Sequence, residues 1–154
     1  MSRKTEILQS IIDVWCHDQD IDAVLANVSD DLVWHYSAIS LPPKHGKTGA
    51  REFLEAYKAK VRNPRWRIFR IAETEDALFV EGVDEFDTAD GHHAVVPYMG
   101  ILEFDGDLIT GWRDYFDRGS ADRSAAGTPL PDFTAALTAR SAALAPASQT
   151  RNPT

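Results

Sequence analysis

Two carboxylates in this chain sit where a carboxylate is expensive to keep. In an extended strand, alternate residues share a face. Along 108–117, LITGWRDYFD, that rule puts Leu108, Thr110, Trp112, Asp114 and Phe116 together. Along 76–86, DALFVEGVDEF, it puts Leu78, Val80, Gly82, Asp84 and Phe86 together. Each face is apolar or nearly so around a single acid. An ionised carboxylate there needs a partner or a task. If both acids line one concavity, their charges oppose each other in a low dielectric, and one holds its proton near neutral pH. One is then a base and the other an acid. Tyr36 shares a face with Leu32 and Trp34 and can aim its hydroxyl into the same space. Either Asp could instead cap a turn, bond backbone at a bulge or pair with Arg67 or Arg70. For one inward acid these readings balance; two such faces favour chemistry. The aromatics Trp34, Trp66, Trp112, Phe86 and Phe116 also suit a plain core, and Trp66 reads as core. Gly82 weakens a strand and marks a bend or a close ligand approach.

The elements around these acids follow from periodicity. Ile7, Leu8, Ile11, Ile12 and Trp15 make an amphipathic helix over 5–17. Asp20 caps a second short helix with Ile21, Val24, Leu25 and Val28 on one face. DLVWHYSA (31–38) alternates as a strand, and LPPKHG (41–46) is a loop. Thr48 caps a third helix with Ala50, Phe53, Leu54, Tyr57 and Val61 inward, ending before Asn63-Pro64. Four strands follow, at 65–73, 76–86, 93–104 and 108–117. ADGH (89–92) and DGD (105–107) supply hairpin turns. The pattern predicts an α+β fold: a curved antiparallel sheet with the N-terminal helices on its concave face. A domain over 1–118 is expected. The remainder, 119–154, is rich in Ala, Ser, Thr and Pro, with Phe133, Leu137 and Leu144 available to one short helix near 132–143 and a mobile end beyond it.

Composition narrows the classes of partner. The 154 residues carry a net charge of -8 with 44% hydrophobic content. There is no basic stripe, which argues against nucleic acid and anionic membranes. Cys16 is the only cysteine, so no internal disulfide forms, and the chain fits a reducing compartment, the cytoplasm. Beside Trp15 on an apolar face, Cys16 reads as a small buried filler. The N-terminus is too interrupted by polar residues for a signal peptide. The histidines form no metal pattern, and no glycine-rich phosphate loop or G-x-S-x-G occurs. The expectation is therefore no metal and no cofactor.

LPPKHG, Val83-Asp84 and above all ITGWRDYFD resemble the limonene epoxide hydrolase group of the nuclear transport factor 2-like superfamily, over roughly residues 5–118. That superfamily also holds the ketosteroid isomerases and the SnoaL-like polyketide cyclases. The resemblance implies a cone-shaped α+β barrel, or half-barrel, with a deep apolar pocket, and a homodimer formed through the outer face of the sheet. It implies that Asp114 activates water, that Asp84 protonates an epoxide oxygen and that Tyr36 holds the water. Trp34, Phe86, Val96, Tyr98, Trp112 and Phe116 would line the pocket. Two parts of the group's pattern are absent. Gly82 stands where an Arg bridges both acids, and Ala38 where an Asn holds water. Three functions follow as expectations: epoxide opening by water on a small apolar substrate, proton transfer by an isomerase, lyase or cyclase without added water, and non-catalytic binding of a small molecule.

Overall fold

The computed structural model describes residues 1–148. Helices α1 (Arg3–His17) and α2 (Ile21–Leu25) lead into strand β1 (Val28–His35), the two-residue strand β2 (Lys44–His45) and helix α3 (Gly46–Lys58). Strands β3 (Val61–Glu73), β4 (Ala77–Thr88), β5 (His93–Asp105) and β6 (Leu108–Tyr115) follow, then helices α4 (Arg118–Ala125) and α5 (Asp132–Thr138). The helix starts obey their side chains. Ser2 accepts from the Thr5 amide at α1 and Asp20 from the Ala23 amide at α2. The hairpin turns also fall where glycine was read, with Gly91 at φ +85° and Gly106 at φ +59°.

The sheet corrects the expected architecture. Its order is β2-β1-β6-β5-β4-β3. β3 to β6 form an antiparallel meander, but β1 lies parallel to β6. The sheet is thus mixed and open, not an antiparallel cone-shaped half-barrel. No pairing joins β2 to β3. With only two residues, β2 is too short to offer β3 a closing edge.

Ile7, Leu8, Ile11, Ile12 and Trp15 of α1 are all buried, with Leu78, Val80 and Leu102 of the sheet in the same core. Other boundaries moved. The strand expected over 31–38 begins at Val28 and ends at His35, leaving Tyr36 in the following turn. The third helix is not capped by Thr48; it starts at Gly46 and stops at Lys58. Val61 then opens β3, which runs through Asn63-Pro64 as an irregularity with Asn63 at φ +48°. Among the described residues no helix is long and apolar enough to cross a membrane.

Past residue 117 the chain holds more structure than its composition suggests. Asp117 caps α4, and the Ser124 hydroxyl accepts from the Val95 amide of β5. Helix α5 ends at Thr138 rather than near 143, and its Phe133 and Leu137 are exposed. Leu144 is not in that helix. It is 3% exposed and bridges Ile68 of β3 with two backbone hydrogen bonds. Gln9 and Asp13 of α1 then hold Ala145 and Ala147. The expectation of a mobile end concerns partly residues 149–154, which lie outside the described residues. Leu144→Ala should cost about 2–4 kcal/mol of folding stability, and Leu137→Ala within about 0.5 kcal/mol, in urea denaturation. Equal costs would contradict the docking role of Leu144.

Candidate active site

Strand parity brings Asp84 and Asp114 to the face covered by the helices. Asp84 lies opposite Trp66 of β3 and Val96 of β5. Asp114 lies opposite Gly100 of β5. Parity fails at one point. The register between β5 and β6 shifts at Thr110, so Ile109, fully buried, joins Trp112 and Asp114 inward while Leu108 is exposed. The shift leaves the acid's orientation intact, because it lies on the N-terminal side of Trp112.

Both acids line a cavity of about 550 Å³ between the sheet and α3. Tyr36, Trp34, Phe86, Val96, Tyr98, Trp112 and Phe116 line it as well, so every residue singled out from the sequence meets there. The Tyr36 ring packs on Phe53, with centroids 4.4 Å apart. Its hydroxyl makes no hydrogen bond among the described residues. Each acid keeps some surface open to the cavity and is surrounded by protein elsewhere.

The partners of the two acids are neutral. The Tyr57 hydroxyl donates to Asp84 Oδ2 at 2.8 Å. The indole N–H groups of Trp112 and Trp34 donate to Asp114 at 3.2 and 3.5 Å. Among the described residues no arginine reaches either acid. Arg67 pairs with Glu85 on the opposite face of the sheet at 2.8 Å, and Arg113 pairs there with Glu103 at 2.9 Å. The arginine partner considered for the acids is thereby excluded by parity. Burial pushes Asp84 up to about 6 against the Tyr57 bond, which favours its charged form. Burial pushes Asp114 up to about 7; the two indole bonds oppose this and the charge of Asp84 adds to it. The shorter bond goes to Asp84, and both carboxyls are held above the usual carboxylate range by burial.

Three residues were missed as parts of the site. Tyr57 and Phe53 were assigned to the core face of α3; both line the cavity. A buried tyrosine tip usually finds a hydrogen-bond partner, and that was the available signal. Trp66 packs against the core but also lines the cavity and donates its indole N–H to the Tyr98 hydroxyl at 2.5 Å. Cys16 behaves as the expected filler. It accepts from the Trp66 amide, and burial pushes its thiol up to about 11.

Gly82 is closed to side chains. A Cβ there would lie 2.5 Å from the Arg67 carbonyl oxygen and 2.9 Å from Ile68 Cδ1. An arginine at this position has no room. At Ala38 the backbone N–H donates to the Asp114 carbonyl oxygen at 3.0 Å, and the methyl side chain offers nothing to water. Among the described residues, no group of three His, Cys, Asp or Glu side chains is placed to hold a metal ion.

Known proteins share this fold. The SnoaL-like domain model matches residues 8–112. An LEH-like epoxide hydrolase from M. tuberculosis is 22% identical, covers 88% of this chain and 95% of its own, and superposes with a TM-score of 0.68. A putative SnoaL-like polyketide cyclase from Shewanella putrefaciens CN-32 is 14% identical, with 82% and 98% coverage and a TM-score of 0.72. TerC, co-crystallised with polyporic acid, is 21% identical, with 81% and 99% coverage and a TM-score of 0.70. No curated protein matches the chain.

The two raised carboxyls set a pH dependence of stability. Between the ordinary carboxylate range and about 7 the native state binds more protons than the unfolded chain, so stability from these groups falls as pH rises through that window. Asp114→Asn removes the penalty of ionising that carboxyl. Its stabilising increment over wild type should be larger at pH 8 than at pH 5 in urea denaturation. An increment that does not change with pH would contradict the burial argument.

Proposed function

The chain belongs to the SnoaL-like domain family of the nuclear transport factor 2-like superfamily, and from that premise we propose that its cavity moves a proton on a small apolar substrate without adding water. The observation that carries this reading is the pairing of two near-neutral acids with neutral donors only. Asp84 is the better-stabilised anion and acts as base. Asp114, which keeps its proton under the charge of Asp84, acts as acid and returns a proton at a second atom. These roles reverse those implied by the epoxide hydrolase resemblance. The aromatic walls favour a substrate carrying rings, held by its faces rather than by charge. These features support a reading among isomerases and cyclases.

Epoxide opening by water is the competing reading. The likeness to the M. tuberculosis epoxide hydrolase and the presence of Tyr36 in the same cavity as Asp114 support it. Against it stand the closed position at Gly82 and the lack of an amide side chain at Ala38. A homodimer belongs to either reading. Met99, Phe79 and Tyr115 are exposed on the outer face, at 58%, 39% and 40%. Sedimentation velocity should show a dimer, and a monomer throughout the accessible concentration range would refute this part.

Purified protein offered cyclic ketones and terpene epoxides in deuterated, oxygen-18 water should exchange protons of the ketone and form no labelled diol. A labelled diol would favour hydrolysis. Asp84→Asn should lower exchange by about 10² or more. The pH profile should be bell-shaped, with both limbs in the region of about 6 to about 7 where the coupled pair titrates. Asp114→Asn should lower turnover and abolish the falling limb.

A further inference from the structure

The loop between β1 and β2 gives the cavity a polar corner that the two acids do not use. Ser37, Leu41 and Lys44 all line the cavity, and all come from this one segment. The segment is tightly turned, because the Ser37 carbonyl accepts from the amides of both Ser40 and Leu41. Lys44 lies opposite Trp34 in the antiparallel pairing of β1 with β2, and residues directly opposite share a face. Trp34 faces the cavity, so Lys44 does too. The lysine stem rests on the start of α3, where a Cβ at Gly49 would lie 3.4 Å from Lys44 Cβ.

Neither polar group of this corner has a partner. Lys44 is half-buried, yet its ammonium makes no hydrogen bond or ion pair among the described residues. Lys47, three residues on, pairs with Asp30 at 3.5 Å. Ser37 is 4% exposed, and its hydroxyl also makes no hydrogen bond among the described residues. There, the one fully enclosed side-chain polar atom without a partner is Gln19 Nε2. The Ser37 hydroxyl therefore keeps some surface open, and in so enclosed a residue that surface belongs to the cavity. An unpaired hydroxyl in such a place is costly until something bonds to it. Other charges on the cavity wall do not cancel the lysine. Arg118 and Asp122 of α4 face each other at 3.7 Å, and Glu52 and Lys60 are exposed groups of opposite sign.

We infer that Ser37 and Lys44 bind a carboxylate of the substrate, which is then a ring compound with its reacting carbon at one end and the carboxylate at the other. The inference rests on the proton-transfer reading and names its substrate class. One ammonium and one hydroxyl match the two oxygens of a carboxylate, and charge-assisted bonds of this kind are the strong ones. The spacing suits a ring between the two ends. β2 is two strands from β6, which carries Asp114, and four from β4, which carries Asp84. At about 5 Å per strand, the corner lies about 10 Å from the strand of the nearer acid. Trp34 and Trp112, stacked with centroids 5.2 Å apart, floor that interval with aromatic surface. A carboxylate set against Asp84 or Asp114 would oppose their ionisation, whereas one held at β2 leaves them free to titrate. In a chain of net charge -8, Lys44 thus decides whether an anionic end is admitted and which way the ring points.

The test compares the binding of two probes of one shape, 2-naphthoate and 2-naphthamide. Trp15, Trp34, Trp66 and Trp112 all line the cavity, so quenching of tryptophan fluorescence reads its occupancy. The wild type should bind naphthoate more tightly than naphthamide. Lys44→Met, which keeps a stem against Gly49, should weaken naphthoate by about ten- to a hundredfold and leave naphthamide within about twofold. Lys44→Arg should keep most of the preference for the anion. Ser37→Ala should weaken naphthoate by about three- to tenfold. A wild type that binds neither probe or does not distinguish them, or an equal loss for both probes in Lys44→Met, overturns the assignment. Ketone proton exchange by the wild type is scored separately. Its absence with a Lys44-dependent preference intact refutes the proton-transfer reading alone, and exchange without that preference refutes the carboxylate corner alone.

Discussion

Desolvation of two carboxyls is the constraint around which this structure is arranged. Taking a carboxylate out of water costs far more than a single neutral hydrogen bond returns. The chain leaves Asp84 and Asp114 without a cation and gives them phenol and indole donors. Strand geometry enforces this separation. Glu85 and Arg113, the chain neighbours of the two acids, point to the opposite face and make ion pairs there with Arg67 and Glu103. Arg140 adds a third such pair with Glu81. One side of the sheet carries neutralised charge, and the other carries acids whose protonation is left open to titration near neutrality.

Much of this was legible from period-two alternation. The inward direction of Asp84, Asp114, Trp34, Phe86 and Trp112 follows from it. The hairpin turns at Gly91 and Gly106 come from turn residues, and Val96 and Tyr98 only from the family resemblance. What alternation cannot see is an inserted residue. At Thr110 the register shifts and moves Leu108 to solvent. Nor can a local pattern state which strands pair. The parallel contact of β1 with β6 joins residues some eighty positions apart, and it makes the sheet mixed where an antiparallel half-barrel was expected. Composition misjudged the chain after residue 117, because caps such as Asp117 and a single apolar anchor such as Leu144 can order Ala- and Ser-rich sequence.

Gly82 shows how an absence in a sequence can be a packing decision. Read against the family pattern, it is a missing arginine. In three dimensions it is a position where the neighbouring backbone, Ile68 and the Tyr98 ring leave no room for a Cβ. A side chain at this position would also press on the Tyr98 ring, whose Cε1 lies 3.2 Å from where the Cβ would be. The role of Trp66 was hidden for a related reason. An indole can bury its rings in the core and still extend its N–H to a cavity.

The parallel pairing of β1 with β6 bears on how the site comes into being. Trp34 reaches Asp114 only through that pairing, and the two lie eighty residues apart in sequence. Closing so long a segment of chain is entropically late work for a folding polypeptide. Until it is done, one indole is missing and Asp114 remains wet. Chains growing from the ribosome therefore carry Asp114 without its Trp34 donor until β6 has been made and paired with β1.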